Sequence, residues 1–120
     1  MAVQKGRDPG EALVQAAKEY IEAHCPEKFS LKKMSGALFI NGSYLSRQFR
    51  SHTGQTLLEY HNSVRCERAR DLLRDSQMCI SEIGTRVGFV SSAHFSHVFK
   101  KITGLTPTSY RESVTKADDL

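Results

Sequence analysis

Sliding the chain along itself by fifty residues brings two stretches into register. Ser46, Phe49, Thr53, Gly54, Thr56, Tyr60, Ser63 and Val64 meet Ser96, Phe99, Thr103, Gly104, Thr106, Tyr110, Ser113 and Val114 at an offset of 50. Leu45 with Phe95 and Arg50 with Lys100 are conservative pairs in the same frame. Upstream, Leu31, Met34 and Leu38 meet Ile80, Ile83 and Val87 at an offset of 49, so the second copy has a turn one residue longer. Self-similarity of this kind means one supersecondary unit built twice, and it limits the possible folds more than composition does.

The unit is helical, because apolar residues recur at three and four and no stretch alternates with period two. Asp8, Pro9 and Glu11 form a helix start, and Leu13, Ala16, Ala17, Tyr20 and Ile21 follow as one apolar stripe until Pro26 bars continuation. Ser30 caps a short second helix with Leu31, Met34 and Leu38 inward. Asn41, Gly42 and Ser43 supply a turn and cap, and a third helix carries Leu45 and Phe49 as far as Gly54. Thr56 and Glu59 form a capping box that opens a long helix to about Arg74. Its apolar direction moves from Leu57, Tyr60 and Val64 round to Ala69, Leu72 and Leu73, so one helix serves two cores. After a polar break at Asp75 to Gln77, the second copy gives a fifth helix (Ile80, Ile83, Val87) and a sixth (Phe95, Val98, Phe99, Ile102) ending at Gly104. Pro107 then starts a short seventh helix with Tyr110 inward. The expected fold is all-α, with two helix-turn-helix subdomains joined by a long central helix.

A short helix, a tight turn and a second helix form the order of a DNA-reading pair. The helices of such a pair cross closely, and the small residues Ser35 and Gly84 stand at equivalent places in the first helix of each copy. The competing reading of a repeat is a helical array that binds protein, but two copies separated by a long helix are few for such an array. A balance of 17 Lys+Arg against 13 Asp+Glu gives a net charge of +4, and the pI near 9.1 favours an anionic partner. With 120 residues and 39% hydrophobic content the chain can bury a core without a metal or disulfide. Cys25, Cys66 and Cys79 are too widely spaced for a metal motif and odd in number, which fits a reducing cytoplasm. No signal peptide and no membrane-length apolar run is present. No nucleophile, base and orienting group fall together, so neither catalysis nor a cofactor is expected.

At these residues the sequence resembles the AraC/XylS family of bacterial transcriptional regulators. Ile80 to Phe89 (ISEIGTRVGF), His94 to Lys101 (HFSHVFKK) and Thr103 to Arg111 (TGLTPTSYR) carry the resemblance most specifically. Ser43 to Arg50 (SYLSRQFR) and Arg65 to Leu73 (RCERARDLL) extend it over roughly residues 12 to 113. The resemblance implies seven helices and two recognition helices placed in successive major grooves. The expected organisation is a linker over 1–11, a first subdomain over 12–55, a linker helix over 56–75, a second subdomain over 76–114 and a tail over 115–120. Family members commonly carry a sensor domain as well, so the chain is expected to be a stand-alone regulator or the C-terminal piece of a longer protein. Its expected partners are double-stranded DNA and either RNA polymerase or an N-terminal sensor domain, with no membrane and no small-molecule site of its own. The sequence departs from the family pattern where Phe39 fills a turn position that Gly88 fills in the second copy. It departs again where Gly36 sits inside a helix and where Cys79 takes the capping place of Ser30.

With Leu45 and Phe49 inward, Ser43, Ser46, Arg47 and Arg50 fall on the outer side of the third helix. Ser43, Ser46 and Arg47 are candidates for base edges, Arg47 through a bidentate contact to guanine, and Arg50, a turn deeper, for phosphate. The sixth helix exposes Ser92, Ala93, Ser96 and His97 as base-contact candidates, with Lys100 and Lys101 for phosphate. This face offers weaker chemistry, since Ala93 can touch only a thymine methyl and His97 stands where the family often has Arg. Ser43 and Ser92 serve equally well as caps. His94 and His97 are spaced for a shared metal, but no third ligand is in view and no metal is expected.

Overall fold

The computed structural model describes residues 9–119, with side chains through residue 115. Among the described residues seven helices and no strands occur: α1 (Pro9–Ala23), α2 (Leu31–Ala37), α3 (Gly42–Thr53), α4 (Leu57–Asp75), α5 (Ile80–Val87), α6 (Ser92–Thr103) and α7 (Pro107–Asp119). Asp8, expected to cap the first helix, lies outside the described residues. Two compact units form. Among the described residues, the first takes 9–24 and again Phe29–His61; the second takes Cys25–Lys28 and 62–119. The division therefore falls inside α4, whose first turn serves one core and whose remainder serves the other.

In the first unit, α1 packs on α3 and α2 packs on α3. Val14, Ala17 and Ile21 are buried together with Met34, Leu45, Phe49 and Leu57. The buried stripe of α1 runs Gly10, Val14, Ala17, Ile21, whereas Leu13, Ala16 and Tyr20 are only half-buried, so the inward direction lies one position beyond the expected one. Gly10 is buried because α1 starts hard against α3: a β-carbon there would lie 2.5 Å from the His52 ring. Pro9 to Glu11, expected in a linker, thus belong to this helix.

The second unit buries more phenylalanine, with Phe89, Phe95 and Phe99 inside against Phe49 in the first. Phe89, Phe95, Phe99 and Tyr110 form a chain of ring contacts with centroids 5.3, 5.7 and 5.8 Å apart. Cys66, Ala69 and Leu73 of α4 and Ile83 and Val87 of α5 close round them. The Phe99–Tyr110 contact reproduces Phe49–Tyr60 of the first unit, at 5.6 Å, so the fifty-residue repeat is a repeat of packing. Two departures from the sequence expectation occur here. Ile102 stays 40% exposed, outside the core. α7 continues to Asp119, so residues 115–119 extend the helix where a tail was expected.

Two arginines fasten this unit. Arg65 is buried and donates from Nε to the Cys25 carbonyl at 2.8 Å and from Nη2 to the Glu27 carbonyl at 2.7 Å, holding the Cys25–Lys28 loop. Burial lowers its guanidinium pKa, and the carbonyl partners answer the desolvation. Arg111 donates to the carbonyls of Leu73 and Ser76, satisfying acceptors that the end of α4 leaves open.

Candidate nucleic-acid interface

The turn between the two helices of each pair has the same backbone hydrogen bonds in both copies. Phe39 N–H donates to the Gly36 carbonyl and Ile40 N–H to the Ser35 carbonyl; Gly88 N–H donates to Thr85 and Phe89 N–H to Gly84. Both are Schellman closures, with the turning residue left-handed: Phe39 at φ 55° and Gly88 at φ 111°. Glycine is required at 88 for a second reason. A β-carbon there would lie 2.7 Å from the Pro26 carbonyl oxygen and 2.9 Å from Arg65 Nε, whereas Phe39 points its ring into open solvent, 94% exposed. The crossing of α5 over α6 is equally close, since a β-carbon on Gly84 would lie 2.8 Å from Phe95 Cδ2. The small residue expected at that crossing is therefore needed.

After the turn, the outer helices are started by Asn41 and Ser91. Asn41 Oδ1 accepts from Tyr44 N–H at 3.0 Å and Ser91 Oγ accepts from His94 N–H at 3.0 Å. Ser43 and Ser92, considered as caps, are not the capping residues; both lie one or two positions inside their helices and are exposed. α3 and α6 then end alike, Gly54 N–H donating to the Arg50 carbonyl and Gly104 N–H to the Lys100 carbonyl. Thr53 and Thr103 donate back to Phe49 and Phe99, both at 2.8 Å.

On α3, Ser43, Arg47 and Arg50 are exposed and Ser46 is half-buried. On α6, Ser92, Ala93, His97, Lys100 and Lys101 are exposed and Ser96 is half-buried. Each unit therefore gathers its candidate residues on the outer face of its second helix. Among the described residues, the side chains of Arg47, Arg50, His97, Lys100 and Lys101 hold no hydrogen bond or ion pair, so their donors are open to an external acceptor. His94 packs its ring edge-on against Phe89, centroids 5.5 Å apart. No group of three potential metal ligands occurs among the described residues.

The sequence reading passed over charges on the first helix of each pair. Lys32 and Lys33 are exposed on α2, while Ser81 and Glu82 hold the corresponding places on α5. The 49-residue frame already contained that difference. The two units are thus built alike and charged unlike.

A family model described as a helix-turn-helix domain matches residues 34–113. The transcriptional activator RhaR of Escherichia coli K12 is 34% identical over 108 residues, covering 90% of this chain and 38% of RhaR, so the chain spans under half the length of that relative. An AraC-type transcriptional regulator from Chromobacterium violaceum superposes with a TM-score of 0.82 at 27% identity, over 87% of this chain and 93% of that one. The DNA-binding domain of the global transcriptional factor AdpA, solved in complex with a target DNA, superposes with a TM-score of 0.71 at 27% identity, over 88% and 92% of the two chains. The family-model match over residues 34–113, with the superposition on an AraC-type regulator, places this chain in the AraC-type helix-turn-helix family.

Proposed function

We propose that the chain is a sequence-specific DNA-binding domain that controls transcription by setting α3 and α6 into successive major grooves of one duplex. The observation that carries this reading is the duplicated turn, which leaves Arg47 and His97 at matching exposed places on the outer helices. The AdpA domain's complex with DNA supports the same conclusion. Ser43, Ser46, Arg47, Ser92, Ala93, Ser96 and His97 are the base-contacting set, and Arg50, Lys100 and Lys101 hold phosphates. Lys32 and Lys33 join the phosphate contacts, because the first helix of such a pair crosses the DNA backbone. The reading divides the chain into subdomains over 12–55 and 76–114 with a linker helix over 56–75. That linker would set the half-sites about one helical turn, roughly 34 Å, apart, so one monomer reads a non-palindromic site. RNA polymerase or a sensor domain is the protein partner that fits such a module, and the cytoplasm is its place of work. No described helix is long and apolar enough to cross a membrane.

Two substitutions test the assignment. Arg47→Ala should weaken specific binding and relax preference at one or two base pairs, a loss of ~1 to 3 kcal/mol in discrimination. Lys100→Ala should weaken binding to every sequence alike and reduce the salt slope by about one ion. A footprint in which Arg47→Ala keeps the full base preference would refute the role given to α3. A protein that shows no salt-dependent affinity for random duplex is instead a protein-interaction module.

A further inference from the structure

Beside the outer face of α3 lies a groove of about 620 Å³, within the roughly 300 to 1,000 Å³ usual for small-molecule sites. All of it belongs to the first unit. Its apolar wall is Phe29, Leu31, Leu57 and Leu58, and its charged edge is Arg47 and Arg50. No carboxylate lines it, and neither arginine holds an ion pair among the described residues. Leu58, part of that apolar wall, is 49% exposed. The second unit keeps only part of this wall: Leu31 corresponds to Ile80 in the 49-residue frame, but in the fifty-residue frame Leu57 and Leu58 correspond to Pro107 and Thr108, and the arginines to His97 and Lys100.

We propose that this groove binds an amphipathic monocarboxylate, with the hydrocarbon part against Leu31, Leu57 and Leu58 and the carboxylate on Arg47 and Arg50, and that this ligand and DNA exclude one another at α3. Charge complementarity selects the ligand. Two open guanidinium groups beside an apolar wall suit one anionic head on an apolar body, and a planar carboxylate matches the arginine fork. A neutral hydrocarbon would leave both donors unused, and a short carboxylate would leave the wall wet. The exclusion follows from the function proposed above, because Arg47 and Arg50 would serve both partners; the binding itself does not depend on it.

The test is a methyl-resonance titration of the purified chain with sodium decanoate, kept below its micelle concentration, with decanol and acetate as comparison probes. Decanoate should shift the methyls of Leu31, Leu57 and Leu58 saturably and leave Ile80 and Val87 unmoved. Decanol should bind about tenfold more weakly or worse, as expected for loss of a charge-assisted contact. Leu58→Asp, at a half-exposed site where folding should survive, should abolish the shifts, with dispersion elsewhere in the spectrum reporting the fold. Absence of saturable shifts, equal binding of decanol, or shifts spread over both units would overturn the proposal. So would shifts of the same methyls on raising protein concentration alone, which would assign the groove to a second copy. Competition with a labelled duplex is read separately, so a chain that binds decanoate but no DNA overturns the DNA reading and the exclusion while the ligand site stands.

Discussion

Phe39 carries a cost that nothing around it offsets. Its φ of 55° is left-handed and its ring is 94% exposed, so the strain of a bulky residue there, ~1 kcal/mol or more, is not recovered by packing. Phe39→Gly should therefore raise the denaturation midpoint by up to about 1 kcal/mol equivalent, whereas a lower midpoint would show that the ring makes a stabilising contact. Gly84 is the opposite case. Adding a β-carbon 2.8 Å from Phe95 Cδ2 forces α5 and α6 apart, and Gly84→Ala should cost about 1 to 3 kcal/mol in urea denaturation. An unchanged midpoint there would mean that the crossing yields at no cost. Cys66 sets an alkaline limit. Burial pushes its thiol from 9.0 up to about 11, so the folded state holds its proton more tightly than the unfolded chain does. Stability from this group is whole below pH 9 and is lost as pH rises toward 11. Stability measured from pH 8 to pH 11 should fall, and should fall less in Cys66→Ala; equal slopes would contradict the assignment.

Helix ends decide how well each unit is held. Ser30 caps α2 through Lys33 N–H at 3.1 Å, but Cys79 gives α5 no side-chain cap and points its sulfur toward Glu82 at 3.2 Å instead. Cys79→Ser should restore the missing acceptor and stabilise the second unit by about 1 kcal/mol, read as a rise in thermal midpoint; no gain would show that Glu82 already satisfies the helix start. These ends also mark what the sequence could and could not disclose. Elements and their order were legible because Gly54, Gly104, Pro107 and the Thr56/Glu59 box are local signals that no distant contact overrules. The α1 stripe was misplaced by one position because a helix face more than a hundred degrees wide has its centre fixed by the helix that lies against it. Gly10 could not be recognised as buried without knowing that His52 sits over it. The cap of α3 was ambiguous for a related reason: Asn41, Gly42 and Ser43 are all competent, and the Schellman closure before them selects Asn41. The end of α7 went unread since nothing after Tyr110 breaks a helix before Asp119. The outward residues of α3 and α6 were readable from period alone, once Leu45, Phe49, Phe95 and Phe99 were taken as inward. The groove beside Arg47 was not, because its walls come from segments nearly thirty residues apart in the chain.

Across the whole molecule, repeated construction is combined with unlike charge. Duplicated turns and caps give two outer helices of the same construction, while Lys32, Lys33, Arg47 and Arg50 of the first copy are answered by Ser81, Glu82, His97 and Lys100 in the second. On the proposed reading, the first copy would make the stronger phosphate contacts, and Arg47 the bidentate guanine contact. The second copy would then add length and register more than discrimination. The most direct measurement is selection of binding sites from a random duplex library by this chain and by Arg47→Ala. The account predicts two blocks of preferred bases, centred about 10 base pairs apart, the more sharply defined block losing its preference in the variant. Enrichment of no common sequence, or of a single block indifferent to Arg47, would contradict it.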